Sequence, residues 1–266
     1  DRWCTYCIIP SVRGPIRSRP VDEIAAEAQS LAEAGFKEVV LTGIHLTSYG
    51  RDVKDGTTLL DAIRAAHDVP GIARVRLGSL EPVVVTPEFV EGIKALPKVC
   101  HQFHLALQSG SDTVLARMHR RYTSGEFLTA CAMLREAFED CALTTDVMTG
   151  FPGETEEDFN ELMEFVGAVG FERMGAFAYS EEEGTYAALN YEDNVPEEVK
   201  ESRLNDLMLL QESISTEISE AKVGQTFRVI IDRHEGDYFV GRTEMDSPEI
   251  DCEVLIPANH APEIQI

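Results

Sequence analysis

Residues 143–169 read LTTDVMTGFPGETEEDFNELMEFVGAV, and this stretch decides the fold class. Its first part, Leu143–Phe151, is a short apolar and β-branched run of strand character. The segment Asp146-Val147-Met148-Thr149-Gly150-Phe151-Pro152-Gly153-Glu154 ends that strand and leads into a helix over Thr155–Val169. The same order recurs outward in both directions. Lys37–Leu46, Ala73–Leu80, His101–Ser109 and Glu172–Ser180 also read as strands. Helical stretches separate them. Pro20–Ala34 carries Ile24, Ala28 and Leu31 on one face and is closed by Gly35; Thr58–Asp68, Thr86–Leu96 and Ser124–Asp140 follow. Thr86 stands as an N-cap with Pro87 at the first helical position. One crossover per strand implies parallel strands, curled into a barrel or part of one. The expected class is α/β, a partial (β/α) barrel with its chemistry at the C-terminal ends of the strands.

Past the loop at Ser180–Asn194 the pattern changes. Pro196–Ala221 reads as one long helix, with Leu207, Leu210, Ile214 and Ile218 at 3–4 spacing. Thr226–Asp232, a turn at Glu235-Gly236-Asp237, and Tyr238–Thr243 read as a hairpin followed by further short strands, a small all-β module. The expected organisation is a barrel over residues 1–195 lacking its start, a helical linker over 196–222 and a truncated β-module over 223–266. An opening at Asp1-Arg2-Trp3-Cys4, with neither Met nor leader, reads as a fragment.

With 266 residues, 44% of them hydrophobic, the chain has the composition of a soluble protein with a substantial core. No apolar run approaches the roughly 20 residues of a membrane helix, so no membrane partner is expected. Cys4 and Cys7 form a close pair, while Cys100, Cys131, Cys141 and Cys252 are scattered. That is no disulfide framework, and a reducing cytoplasm is the expected location. The net charge of -24 is unevenly spread. Residues 1–150 carry 16 Lys+Arg against 19 Asp+Glu, a net of -3; residues 151–266 carry 7 against 28, a net of -21. Such a surface repels phosphate backbones and suits a basic partner, although any single Glu in it also serves as an ordinary solvated charge.

Cys4-Thr5-Tyr6-Cys7 is the densest chemical signal. On spacing alone it fits a zinc knuckle, a redox dithiol or part of an iron–sulfur site. Zinc would want a second ligand pair, and no other CxxC or HxxxH exists. A thioredoxin-type dithiol should precede a helix, which Ile8-Ile9-Pro10 is expected to forbid.

The flanking residues narrow the choice. Cys4-Thr5-Tyr6-Cys7-Ile8-Ile9-Pro10, with Arg13-Gly14-Pro15 and Arg17-Ser18-Arg19-Pro20, resembles the cluster loop of the radical-SAM methylthiotransferase family. Leu41-Thr42-Gly43-Ile44-His45, Gln108-Ser109-Gly110-Ser111-Asp112, Arg120-Arg121-Tyr122-Thr123 and the Asp146–Glu154 stretch match in order and position, over essentially the whole chain. The resemblance implies a radical-SAM barrel followed by a TRAM-like module. It implies a 4Fe–4S cluster on Cys4 and Cys7, the family's first cysteine falling one residue before Asp1. A second 4Fe–4S cluster would belong to an N-terminal domain. Gly43, Gln108, Ser109, Asp146 and Gly150 would line the S-adenosylmethionine and substrate cavity, and Arg120–Thr123 would offer cations near its opening. His45 and His104 read rather as packed or hydrogen-bonded side chains.

The implied reaction inserts sulfur and a methyl group at an unactivated C–H, with an electron donor such as flavodoxin. Leu41–His45, Leu77–Pro82, Gln108–Asp112 and Arg120–Thr123 look like the branch that acts on threonylcarbamoyl-adenosine of tRNA, which makes tRNA the first expected partner. Arg173–Thr185 and Thr226–Leu255 look like the branch that modifies an aspartate of a basic small-subunit ribosomal protein, the alternative. A crossover of two parents near Gly150 would account for both. Two rivals remain: an inactive fragment that only binds a partner, and a cofactor-free barrel enzyme. The latter wants a reactive Lys or paired carboxylates at a strand end, and the sequence offers neither.

Overall fold

The computed structural model describes residues 3–260; Asp1, the expected start of the barrel, and the end of the expected β-module at 261–266 lie outside the described residues. Parallel strands β1 (Glu38–Leu41), β2 (Arg74–Leu77), β3 (Gln102–His104), β4 (Ala142–Thr149) and β5 (Arg173–Ala178) form the first part of the fold. Bridges Val75–Val99 and Leu80–Leu105 join β2 to the β3 region, so the five strands run as one array in sequence order. Between them lie α3 (Leu59–His67), α4 (Pro87–Lys94), α6 (Ser124–Ala137) and α7 (Glu156–Val169), and α2 (Val21–Glu33) precedes β1. This is the repeated strand–helix order expected of a (β/α) barrel.

Local chemistry sets the helix starts. At α7 the Thr155 amide donates to Asp158 Oδ2 at 2.9 Å while the Asp158 amide donates to Thr155 Oγ1 at 3.2 Å, a reciprocal cap. Thr86 Oγ1 accepts from the Phe89 amide at 3.2 Å, with Pro87 in the first turn of α4. The helices bury Ile63, Phe89, Ile93, Phe127, Leu134, Leu162 and Val166 against Val75, Leu80, Phe103, Leu105, Leu143 and Val147 of the sheet region. That apolar contact supplies the main driving force for the layer arrangement.

Three short α-helices fall outside the sequence reading. A short helix α1 (Ile9–Arg13) follows the Cys4–Cys7 loop directly, with Pro10 in its first turn. Proline there loses only an amide that has no intrahelical partner, and its fixed φ suits a helix start, so the expectation that Pro10 forbids a helix is corrected. The one-turn helices α5 (Asp112–Arg117) and α8 (Tyr186–Asn190) are too short to show a period in sequence.

The long helix α9 (Glu197–Ala221) packs on β5 and α7, and Gln211 Nε2 donates to the Phe171 carbonyl at 2.8 Å. Antiparallel strands β6 (Ile230–Glu235), β7 (Tyr238–Arg242) and β8 (Val254–Pro257) form the last sheet. The hairpin turn falls at Gly236-Asp237, as expected, but β6 starts later than the expected strand and carries a bulge between Ile231 and Arg233.

This second sheet docks at the N-terminal end of the first. Arg74 Nη1 donates to the Arg242 carbonyl and Nη2 to the Arg228 carbonyl, each at 3.0 Å. Glu38 accepts from Arg76 Nε at 2.8 Å and from Arg242 Nη1 at 3.2 Å. Arg173 pairs with Asp246 and, at 3.3 Å, with Asp251. With that end covered, the open space of the sheet lies at its C-terminal end.

Candidate active site

A cavity of 780 Å³ opens there, walled by the Cys4–Arg19 segment, α2, the loop after β1, Glu81 and Arg120. Cys4, Tyr6 and Cys7 all line it. The Cys7 amide donates to the Cys4 carbonyl at 3.1 Å, which folds the loop so that both half-buried thiols reach the same space. Burial pushes the Cys7 thiol above its ordinary value; the neighbouring Cys4 acts in the same direction, and a hydrogen bond with the Ile9 backbone opposes it. Cys100, Cys131 and Cys141 are buried in the core, where desolvation pushes their thiols up to about 12. Among the described residues, then, Cys4 and Cys7 are the thiols positioned for chemistry at this cavity.

Buried charge surrounds them. Arg120 Nη1 donates to Cys4 Sγ at 3.3 Å and Nε donates to Tyr122 Oη at 2.9 Å. Arg120 Nη2 lies 3.5 Å from Glu81 Oε1, and His45 Nε2 lies 3.1 Å from Glu81 Oε2. His45 Nδ1 is hydrogen-bonded to Ser48 Oγ. Burial raises the Tyr6 phenol far above its ordinary value, against the pull of Arg120, so Tyr6 is a neutral donor, and its hydroxyl bonds to Gln108 Oε1 at 3.1 Å.

Of the five expected site residues, Gly43 is among those that line this cavity, whereas Gln108 and Asp146 are not. Gly43 lies in the cavity wall, and a Cβ built on it would meet no protein atom within 4 Å. Gln108 holds a left-handed φ of 69°, costly for a residue with a side chain, and turns its amide to Tyr6 beside the cysteines. Asp146 stands within β4, which runs on to Thr149 rather than ending there, and its side chain is 45% exposed, 3.4 Å from His104 Nε2. Gly175 on β5 makes room for it, since a Cβ there would sit 2.7 Å from Asp146 Oδ1. The other two face protein. Ser109 is buried and its Oγ accepts from the Ser111 amide at 3.2 Å. Gly150 donates its amide to Glu154 Oε1 at 2.8 Å, and a Cβ there would lie 2.2 Å from Lys200 Cγ of α9.

Of the cations expected near the opening, Arg121 is exposed, whereas Arg120 is buried beside the cysteine loop. Glu81, Tyr6 and the approach of His45 to Glu81 were not singled out in the sequence. The available signal for Glu81 was its place just after the second expected strand, before Pro82.

The donor set fits a thiolate-bound iron–sulfur cluster. Two soft sulfur ligands share one loop, a guanidinium stands ready to balance negative charge, and the cavity wall above them is wide enough for a nucleoside-sized molecule. Among the described residues no group of three or more His, Cys, Asp or Glu is arranged to hold a metal ion, so the described chain offers two ligands to such a cluster, not a closed site.

Comparison with known proteins bears on the family and the fold. The model of the radical SAM superfamily matches residues 1–166, and that of the TRAM domain matches residues 223–264. A protein of Bacteroides fragilis named ribosomal protein uS12 methylthiotransferase RimO is 47% identical over 256 residues, which is 96% of this chain and 59% of that protein. Proteins of the same name from Porphyromonas gingivalis and Flavobacterium johnsoniae are each 44% identical, over 257 and 259 residues, 97% of this chain and 59% of theirs. The chain thus spans about 59% of the length of these relatives. The radical S-adenosylmethionine methyltransferase TsrM from Kitasatospora setae, solved with cobalamin and a [4Fe-4S] cluster, superposes with a TM-score of 0.55 at 18% identity, over 88% of this chain and 40% of that one. Methylornithine synthase gives a TM-score of 0.52 at 15% identity, over 79% and 59%. At such identities the two structures speak for the fold alone.

Proposed function

Because the chain belongs to the radical SAM superfamily and carries a TRAM domain, we propose that it is the catalytic part of a methylthiotransferase acting on a small-subunit ribosomal protein. The observation that carries this is the pair of cavity-facing thiols, Cys4 and Cys7, at the C-terminal end of a parallel barrel-like sheet. Cys4 and Cys7 would hold the cluster, which with S-adenosylmethionine supplies radical chemistry at an unreactive C–H bond; that chemistry belongs to the cofactors.

The chain's own residues bind and orient. Gly43 leaves the floor of the cavity open to a close ligand, and Gln108, fixed by Tyr6, presents a rigid amide edge beside the cysteine loop. Asp146 offers a half-exposed carboxylate able to accept from a hydroxyl or ammonium group. The walls from α2, α3 and β1 shield the reacting centre from water. Ser109 and Gly150 support the loops from behind. The unit boundaries proposed are 1–195 for the barrel, 196–222 for the linker and 223–266 for the TRAM module.

Two observations favour a ribosomal protein over the tRNA adenosine suggested by the barrel motifs. Relatives named for ribosomal protein uS12 match over 256 residues or more, spanning both halves of the chain, so two parents are not required. Residues 151–266 carry 7 Lys+Arg against 28 Asp+Glu, a field that repels phosphates and attracts a basic protein.

The test incubates the protein as its gene encodes it with S-adenosylmethionine, a reductant such as reduced flavodoxin, and either the ribosomal protein uS12 or tRNA bearing threonylcarbamoyl-adenosine. A gain of one methylthio group on an aspartate of the ribosomal protein, with none on the tRNA, is expected. Modification of the tRNA alone would replace this reading, and no cofactor cleavage with either would favour the binding-module alternative.

A further inference from the structure

Arg120 is held by groups that owe nothing to the cysteine. Its side chain is 7% exposed, and Nε donates to Tyr122 Oη at 2.9 Å. Nη2 donates to the Ala106 carbonyl at 3.2 Å and lies 3.5 Å from Glu81 Oε1. Tyr122 is itself fixed, its hydroxyl donating to the Leu107 carbonyl at 2.9 Å, and Glu81 is braced from the other side by His45. These anchors sit on segments that follow β2 and β3. They hold the guanidinium whether or not anything occupies the cavity, and the remaining donor nitrogen, Nη1, reaches Cys4 Sγ at 3.3 Å.

We propose that Arg120 is a positioning residue for the cluster: it fixes the sulfur of Cys4 on the cavity side and sets a buried positive charge against the metal site. This rests on the reading of Cys4 as a cluster ligand. Hydrogen bonds to cluster sulfurs and local charge are two of the levers that set a cluster's reduction potential. A cation fixed in a low-dielectric surround acts strongly on a neighbouring charge and needs no reorganisation when that charge changes. Arg120 therefore favours the reduced form, which carries one more negative charge after taking a single electron from the reductant. Lysine keeps the charge but cannot serve the phenol, the carbonyl, the carboxylate and the sulfur at once, because it lacks the planar fork.

The experiment is an EPR-monitored redox titration of the anaerobically reconstituted protein, as its gene encodes it, following the signal that responds to added S-adenosylmethionine. Arg120→Gln is expected to shift the one-electron equilibrium at least about tenfold towards the oxidised form, about 59 mV. Arg120→Lys should fall between it and the parent, with an altered line shape. If both variants keep the parent's potential and line shape while melting earlier, Arg120 is merely structural and the proposal is overturned. Should Arg120→Gln take up no cluster, Arg120→Lys decides alone: a potential and line shape equal to the parent's overturn it, and a shifted potential sustains it. A separate Cys4→Ala control tells the two failures apart. An unchanged S-adenosylmethionine-responsive signal in that variant would overturn the ligand reading itself, and this proposal with it.

Discussion

The two ends of the parallel sheet both bury charge, and they use it differently. At the N-terminal end Glu38 pairs with both Arg76 and Arg242, and the β6–β8 module closes over them. At the C-terminal end Glu81 and Arg120 are just as deeply buried, yet one donor of Arg120 points at a thiol and the whole group borders a 780 Å³ cavity. Burial and ion pairing alone therefore do not mark a functional site. What marks it is a buried charge whose last contact is a ligand-capable atom beside open space.

Disrupting the N-terminal charge cluster should have the largest effect. Glu38→Ala leaves Arg76, whose side chain is 2% exposed, without its carboxylate, and a broken buried pair costs about 3–5 kcal/mol. Urea unfolding should show that loss while iron incorporation in the folded protein stays at the parent level. A variant with normal stability and poor iron incorporation would mean the two ends are not separable.

Gly150→Ala comes next. The residue has a φ of +71°, and its new Cβ would lie 2.2 Å from Lys200 Cγ, so strain and overpacking should cost about 1–3 kcal/mol. Because Gly150 faces α9, S-adenosylmethionine affinity should not change in the folded variant; weaker binding at normal stability would return Gly150 to the cavity.

Asp158→Asn is a milder test of the same wall. Burial alone would raise the Asp158 carboxyl, but the Ser111 hydroxyl, the Thr155 amide and hydroxyl, and Arg203 outweigh it and hold the value below the ordinary range. A lowered acid contributes stability above its unfolded value and loses it as pH falls through the folded one. The variant should lose about 1–2 kcal/mol near neutrality and converge with the parent in acid, as parallel thermal melts would show. A gap that persists undiminished in acid would place the effect in packing instead.

Asp146→Ala should have the smallest effect on stability and a clear effect on chemistry. Its side chain is 45% exposed, so a change within about 0.5 kcal/mol is expected. Cofactor cleavage, measured as 5′-deoxyadenosine released, should nevertheless fall. A normal rate with an earlier melt would make Asp146 structural.

The sequence made the strands legible because each is a compact β-branched or apolar run between turn residues, and it made the cysteine pair legible through spacing. Helix α1 was misjudged because Pro10 was weighed as a helix breaker, when in the first turn proline is tolerated. The pairing of Glu81 with Arg120 could not be read in the sequence. It joins residues 39 positions apart that meet only once the segments after β2 and β3 run side by side. For the same reason Ser109 and Gly150, placed by sequence at strand ends, gave no sign of facing the protein: a period of two fixes the face of a strand, not the turn beyond it.

Whether the C-terminal end of the sheet holds a cluster through Cys4 and Cys7 is decided by anaerobic iron–sulfide reconstitution of the protein as its gene encodes it, the parent, and of its Cys4→Ala, Cys7→Ala double variant, followed by EPR with and without S-adenosylmethionine. The parent should give a 4Fe–4S signal that changes when S-adenosylmethionine is added, and the double variant should melt normally and give no such response. An equal S-adenosylmethionine-responsive signal in both would contradict the account.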